Sequence, residues 1–410
     1  NLLFLEAARM MKLNNPAQVM FVMVSYLPIP DKVGEMKTKP TQYAVRTLNT
    51  AGIQPDFIIA RSRKPLDDPR KKKIAINCNI KQDDVISAPD IETIYEVPVN
   101  FEKQGLAEKI IKKFEMFRNG RGGMEKKPMK NKKLALKWNT FVKKIKRLDN
   151  LSNKKIVNIG IIGKYFATGK FVLVDSYISV IEAIKHAAWH NGYWPNIEWI
   201  DSEQYEKDPK KLKELKEYDG IVVPGGFGSR GVEGKIKTIG FARKEKIPYF
   251  GLCYGMQLAV IEVGRNLAKL KGANSTEINS DTSYPIIGIS EDQKTNIKNR
   301  HYGGSMRLGA YPCELKKGSI SRKAYGDKTV LERHRHRYEL NNEFRDKLKE
   351  AGLEAMGINR ERDLVEIVEL KNHPFFVGVQ FHPEFKSRPL EPHPLFKEFI
   401  KSAIKRKNKK

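Results

Sequence analysis

Apolar positions in the first hundred residues come in two spacings. Amphipathic, helix-forming runs at Phe4 to Leu13, Gln42 to Ala51, around Asp67 to Cys78 and at Leu106 to Phe117 alternate with short apolar runs at Val19 to Tyr26 and Asp56 to Ala60, which predict strands. Such alternation predicts an α/β unit with a largely parallel sheet. From Arg118 to Asn153 the pattern turns polar and is broken by Gly120, Gly122, Gly123 and Pro128, ahead of a Lys-rich amphipathic patch around Trp138 to Ile145. This stretch is expected to be a linker. The two spacings then resume. Strands are predicted at Ile156 to Ile162, Asn196 to Ile200, Gly220 to Val223 and Phe375 to Phe381, a helix at Ser176 to His190, a strand–turn–helix at Tyr249 to Val263, a loop-rich middle, and a closing helix at Leu395 to Ile404. Two α/β domains are therefore expected, at 1–117 and 154–404, each with a largely parallel sheet flanked by helices. A basic linker (118–153) joins them and a basic tail (405–410) follows.

Length agrees with two domains, because 410 residues exceed the size at which one core usually stops growing. The longest apolar stretches, such as Val19 to Val24 and Ile156 to Ile162, are too short to span a bilayer, and no charged-then-apolar leader opens the chain, so a cytoplasmic protein is expected. The net charge of +28 suggests nucleic acid until it is mapped. Residues 118 to 155 hold fourteen Lys and Arg against Glu125 and Asp149, and Lys401 to Lys410 adds six more cations, so 18 of the 28 net charges sit in these two segments. No recognition helix or aromatic-interleaved basic patch accompanies them, which disfavours specific nucleic-acid binding. The three cysteines, Cys78, Cys253 and Cys313, lack metal-ligand spacing and suggest no disulfide framework.

One cysteine has a special setting. In Ile247 to Val263, IPYFGLCYGMQLAVIEV, Cys253 lies between a short strand and a helix, with Gly251 and Gly255 two residues away on each side. This is the arrangement of a nucleophile elbow with cysteine in place of serine; the following helix aims its amides and positive dipole end at the sulfur. A buried structural cysteine is the competing reading of so short a pattern. The segment Phe375 to Phe385, FFVGVQFHPEF, weighs against it, because it delivers His382 at a strand end and Glu384 two residues on, a base and a group to orient it. A third piece is IVVPGGFG at Ile221 to Gly228: Gly225 and Gly226 let backbone amides approach a reacting carbonyl and, with the amide of Tyr254, hold an oxyanion. A nucleotide-phosphate loop is the rival use of these glycines, but neither G-x-G-x-x-G nor Walker spacing is present.

GLCYGMQ, PGGFG and FHPEF together resemble the class I, or triad, glutamine amidotransferases. The resemblance extends over nearly the whole chain to the CTP synthase family through GEMKTKPTQ (Gly34 to Gln42), KKIAINC (Lys72 to Cys78) and ISAPDIETIYEVP (Ile86 to Pro98). In the second domain it continues through GKY (Gly163 to Tyr165), GGFGSRGVEGK (Gly225 to Lys235), NSTE (Asn274 to Glu277), GGSMRLG (Gly303 to Gly309) and RHRHRYE (Arg333 to Glu339). The resemblance implies a glutamine-hydrolysing ligase that aminates UTP to CTP at the expense of ATP, the last step of de novo CTP synthesis. Cys253, His382 and Glu384 are its implied triad. Gly225, Gly226, Tyr254, Gly255, Met256, Gln257, Glu277 and Arg337 hold glutamine and the oxyanion, the last two charges suiting the ammonium and carboxylate of a free amino acid. Lys37, Thr38, Lys39, Pro40, Thr41, Gln42 and Lys73 are expected to bind UTP or CTP, and Asp90 and Ile91 to lie near ATP. Arg307 and the loop Gly228 to Gly234 are expected near a GTP activator. Magnesium is an expected cofactor, with its ligands and the family's phosphate loop upstream of Asn1, and a homotetramer is the expected assembly. Tyr254 departs from the leucine common in the family, which its backbone role tolerates. Two alternatives are a glutaminase component of another amidotransferase, which KTKPTQ opposes, and a non-synthesising structural or regulatory homologue, which the intact triad opposes.

Overall fold

The structure, a computed structural model, describes residues 1–118, 132–150, 155–163, 167–168, 171–172, 177–289 and 306–410. Residues 119–131 and 151–153 of the expected linker, 164–165 of GKY and 303–305 of GGSMRLG lie outside the described residues. The chain divides into two compact units, Asn1–Val142 and Lys143–Lys410.

The first unit is built on three parallel strands in the order Val22–Tyr26, Phe57–Ser62, Val85–Pro89. The middle strand is apolar on both faces, as a covered parallel strand must be. Ile58 and Ala60 pack with Leu27, Val45, Ile74 and Val85 on one side, while Phe57, Ile59 and Ile86 meet Phe101, Leu106 and Ile110 on the other. Helix Asp68–Asn77 begins where the sequence provides a cap: the Asp67 carboxylate accepts from the Arg70 amide at 3.0 Å, and Pro69 occupies the first turn, where no amide is needed. The third strand was not foreseen, because Val85–Pro89 is short and runs directly into a proline. Helix Lys132–Asn150 occupies the end of the expected linker, with Trp138 Nε1 donating to the Tyr95 carbonyl at 2.8 Å.

The second unit carries a nine-stranded sheet in the order 329–336, 307–315, 353–359, 364–370, 376–379, 249–252, 220–223, 156–163, 194–201. The last five strands run parallel, and the first four extend the sheet antiparallel from Phe376–Val379. All four fall in the middle expected to be loop-rich. Their alternation of charged and apolar residues hides strand propensity because several of the inward-facing positions are themselves charged. Helices Val232–Lys244 and Tyr254–Asn266 cover one face of the sheet, and Ile178–His190 and Pro394–Lys407 the other. Phe250, central to the second layer, meets the rings of Phe375, Phe396 and Phe399 at 5.0–5.8 Å. Strands Gly220–Val223, Tyr249–Leu252 and Phe376–Val379 lie side by side and end level with one another, Val223 opposite Gly251 and Val379 opposite Leu252. The loops after all three strands therefore meet at one edge, where ligands of parallel α/β sheets bind.

Candidate active site

Cys253 is the first residue after Leu252 and the N-cap of helix Tyr254–Asn266, with φ +49° and ψ −100°. A β-carbon-bearing residue adopts such a conformation only when its surroundings enforce it, at a cost of about 1–3 kcal/mol. The enforcement is visible. A Cβ on Gly255 would lie 2.1 Å from the Val223 carbonyl oxygen, and one on Gly251 2.8 Å from the Gly255 carbonyl carbon, so both glycines are needed for strand and helix to come this close. Tyr249 Oη donates to the Gly255 carbonyl at 2.8 Å, and the Cys253 amide donates to Val379 at 2.6 Å, locking the elbow to the neighbouring strand. The first-turn amides of Tyr254 to Met256 have no carbonyl behind them in the helix to accept from them, and remain donors at the sulfur's side.

His382 reaches the same point from the strand ending at Val379. Its backbone amide donates to Arg333 at 2.8 Å, and its Nδ1–H donates to Glu384 Oε1 at 2.7 Å, which leaves Nε2 for the sulfur. Glu384 is buried, so its charge is committed to the imidazole. Burial alone would push the His382 cation toward losing its proton, but hydrogen bonds to Cys253 and Glu384 outweigh it and raise the pKa to about 10. Gly225 closes the triangle: a Cβ there would lie 2.8 Å from His382 Cε1 and 3.7 Å from Cys253 Cβ. The other two cysteines are chemically quiet by comparison. Burial pushes the Cys78 thiol up to about 11, and burial with the nearby Glu366 and Glu332 raises Cys313 further.

Of the residues expected to grip glutamine, Gly226, Tyr254 and Glu277 meet at the PGGFG turn. Glu277 Oε1 accepts from the Gly228 amide at 3.0 Å, and Tyr254 Oη donates to the Gly228 carbonyl at 2.6 Å, so the turn is clamped on both sides. Burial raises the Tyr338 hydroxyl pKa, with Glu277 adding to the shift and Arg337 opposing it, which puts both charges in one neighbourhood. Gly226 lies against the Tyr254 ring. Met256 is buried beneath Gly378. The Gln257 side chain points inward, its amide donating to the Tyr338 carbonyl and to Gln380. Gln380 escaped notice in the sequence, where it reads only as one polar residue in an apolar strand; its burial beside the elbow was the missing signal.

In the first unit, Lys37, Thr38, Lys39 and Lys73 line one pocket of about 560 Å³ with Glu35, Met36, Pro69 and Arg70. Lys37 pairs with Glu35 at 2.6 Å, and Arg70 approaches the same carboxylate at 3.6 Å. Thr41 is fully buried, its hydroxyl 2.8 Å from Ser25 Oγ, and Gln42 donates to Thr38 Oγ1 at 3.1 Å. Thr41 thus ties its helix to the sheet rather than lining the pocket, and Pro40 starts that helix. Asp90 is exposed and paired with Arg61 at 3.1 Å, with Ile91 beside it half-buried. Arg307 calls for a correction. Its guanidinium is completely buried, bonded to Glu366 at 2.6 Å and Glu339 at 3.4 Å and lying over the Tyr311 ring, so it braces the antiparallel strands and presents nothing to a nucleotide in solvent. Among the described residues no three His, Cys, Asp or Glu side chains converge as a metal site, and no helix is long and apolar enough to cross a membrane.

Residues 172–402 match the family described as glutamine amidotransferase class-I, the class that the elbow, base and carboxylate define. Residues 1–116 match the CTP synthase N-terminus. The CTP synthase of Clostridium kluyveri is 48% identical over 408 residues, covering 99% of this chain and 71% of that protein, and that of Sulfolobus acidocaldarius is 45% identical, covering 98% and 71%. The chain belongs to the CTP synthase family. The glutaminase domain of Trypanosoma brucei CTPS, solved with bound acivicin, matches 61% of this chain at 38% identity with a TM-score of 0.56.

Proposed function

We propose that Cys253, His382 and Glu384 hydrolyse glutamine and that the ammonia released aminates UTP to CTP in an ATP-dependent reaction. The observation that carries this reading is the meeting of Cys253, His382 and Gly225 at one sheet edge, in a chain 99% of which aligns with 71% of a CTP synthase. Cys253 Sγ attacks the glutamine carboxamide carbon, and the negative charge that develops on its oxygen is received by amides of the Gly225–Gly226 turn and of Tyr254. His382 gives its proton to the leaving ammonia and then takes one from the water that hydrolyses the glutamyl thioester. Glu384 keeps the imidazole in the tautomer both steps need. Glu277 and Arg337 receive the ammonium and carboxylate of glutamine.

The pocket of Lys37, Thr38, Lys39 and Lys73 receives the phosphates of UTP or CTP, three lysines matching the charge of a triphosphate. Asp90 and Ile91 directly follow the parallel strand Val85–Pro89, and their role near ATP rests on the family reading. The domains are read as 1–117 and 154–404 with the linker 118–153 between them; the compact units divide between Val142 and Lys143. The family reading also carries magnesium with ATP, a GTP activator and a cytoplasmic homotetramer. The described residues offer no convergent group that fits magnesium, so no step is derived through it. In a full-length version that carries the phosphate loop expected upstream of Asn1, Cys253→Ala should abolish CTP formation from glutamine and keep formation from ammonium salts, because the thiolate only releases ammonia. Loss of both activities would refute this division of labour.

A further inference from the structure

His382 is not the only polar group at the sulfur. Gln380 Nε2 lies 3.7 Å from Cys253 Sγ, in reach of an N–H···S hydrogen bond. Which end of an amide faces a neighbour is usually an assignment, but the partners of this one determine it. Gln257 Nε2 is 2.8 Å from the Tyr338 carbonyl oxygen, a group that only accepts, so that end of the Gln257 amide must be its NH₂. The same NH₂ is 3.3 Å from the Gln380 amide. Two donors would repel there, so Gln380 turns its oxygen to Gln257 and its own NH₂ to the sulfur. Gln257 is 3% exposed and Gln380 fully buried, so water does not compete for these groups. The backbone on both sides is fixed, Gln380 N donating to Glu366 at 2.8 Å and Cys253 N to Val379 at 2.6 Å.

We propose that the Tyr338 carbonyl, Gln257 and Gln380 form a one-way amide relay that delivers an N–H to Cys253 Sγ, with Gln380 a further catalytic residue and Gln257 its positioning residue. The proposal rests on Cys253 being the nucleophile. A thiol is a weak acceptor and a thiolate a strong one, so the donated N–H favours the thiolate, and favours it again when the sulfur leaves the glutamyl thioester. Among the described residues, His382 bonds Sγ and Glu384 bonds His382. Both remain in place when the relay is cut.

Gln380→Met and Gln257→Met remove the amides at similar volume. The measurement is the rate of iodoacetamide alkylation of the full chain against pH, with peptide mapping of the modified cysteine and a thermal unfolding curve for each variant. The relay predicts that Gln380→Met moves the midpoint of the alkylation profile to higher pH, which slows alkylation at pH values below it roughly tenfold. Gln257→Met should shift it the same way by less, and the double variant no further than Gln380→Met. The glutamyl thioester should also accumulate in Gln380→Met, because its sulfur is a poorer leaving group. An unchanged midpoint in a cooperatively folded Gln380→Met protein would reduce the amide to packing and overturn the relay. If that variant does not fold, an unchanged midpoint in Gln257→Met overturns it equally. Mapping of the fast-reacting thiol to Cys78 or Cys313 would instead overturn the assignment of Cys253 itself.

Discussion

Two charged sites in this chain are built on opposite plans. At Cys253 the charges are buried and spent on one another: Glu384 on His382, and His382 on the sulfur. At the Lys37–Lys73 pocket they are exposed and only provisionally paired, with Lys37 and Arg70 sharing Glu35, whose carboxyl is held below its ordinary pKa by the Lys37 hydrogen bond. The difference follows from the tasks. Making and breaking a covalent bond rewards groups already aligned when the substrate arrives, whereas gripping a polyphosphate rewards cations that exchange a weak partner for a stronger one.

The largest effect should come from breaking the buried plan. Glu384→Gln keeps the shape of the side chain but removes the anion, and turnover of glutamine should fall by about 10²-fold or more. It should also change the pH profile. His382 is raised from its ordinary 6.5 to about 10, so the contribution of its cation is fully present below 6.5 and is lost as pH rises through 10. Without Glu384 the folded value drops, and the alkaline limb of kcat/KM for glutamine should move to lower pH. An unmoved limb would show that Glu384 does not act on the imidazole.

Next come the residues proposed to hold the amino-acid end of glutamine. Arg337→Ala or Glu277→Ala should weaken glutamine binding by about 1.5–3 kcal/mol, as for loss of a hydrogen bond to a charged group, while leaving UTP binding nearly unchanged. Titration of each ligand separately checks this; equal losses for both would indicate a folding defect. Smallest is the effect at the exposed plan. Glu35→Gln releases Lys37 and Arg70 from their carboxylate and should tighten UTP or CTP binding only slightly, more at low salt than at high salt. Weaker binding would mean that Glu35 positions the lysines for the phosphates instead of competing with them.

The two sites were also unequally legible in the sequence. The triad could be read because strained elbows demand glycines at fixed spacing: Gly251 and Gly255 flank Cys253 for steric reasons the structure repeats at 2.8 and 2.1 Å. The parallel strands were legible for a similar reason, since Ile156 to Ile162 and Gly220 to Val223 are apolar on both faces. Arg307 misled because sequence does not say which way a strand residue points, and it pointed into the sheet toward Glu366. Its buried neighbours Glu332, His334, His336 and Glu339 concealed the antiparallel strands, because polar residues that satisfy one another inside a core look like surface. Thr41 failed in the same way, its hydroxyl spent on Ser25. Gln380 carried no local signal at all, its side-chain contacts coming from residues 123 and 127 positions away in the chain.

The central claim, that Cys253 is the nucleophile served by His382, is tested most directly by trapping its intermediate. The chain is mixed with glutamine, quenched in acid within a turnover, and measured by intact mass, then digested to locate any adduct. A glutamyl thioester on the peptide containing Cys253, absent from Cys253→Ser and much reduced in His382→Ala, is the predicted result. A glutamyl adduct that persists in Cys253→Ser, or glutamine hydrolysis that continues at the parent rate in that variant, would contradict it.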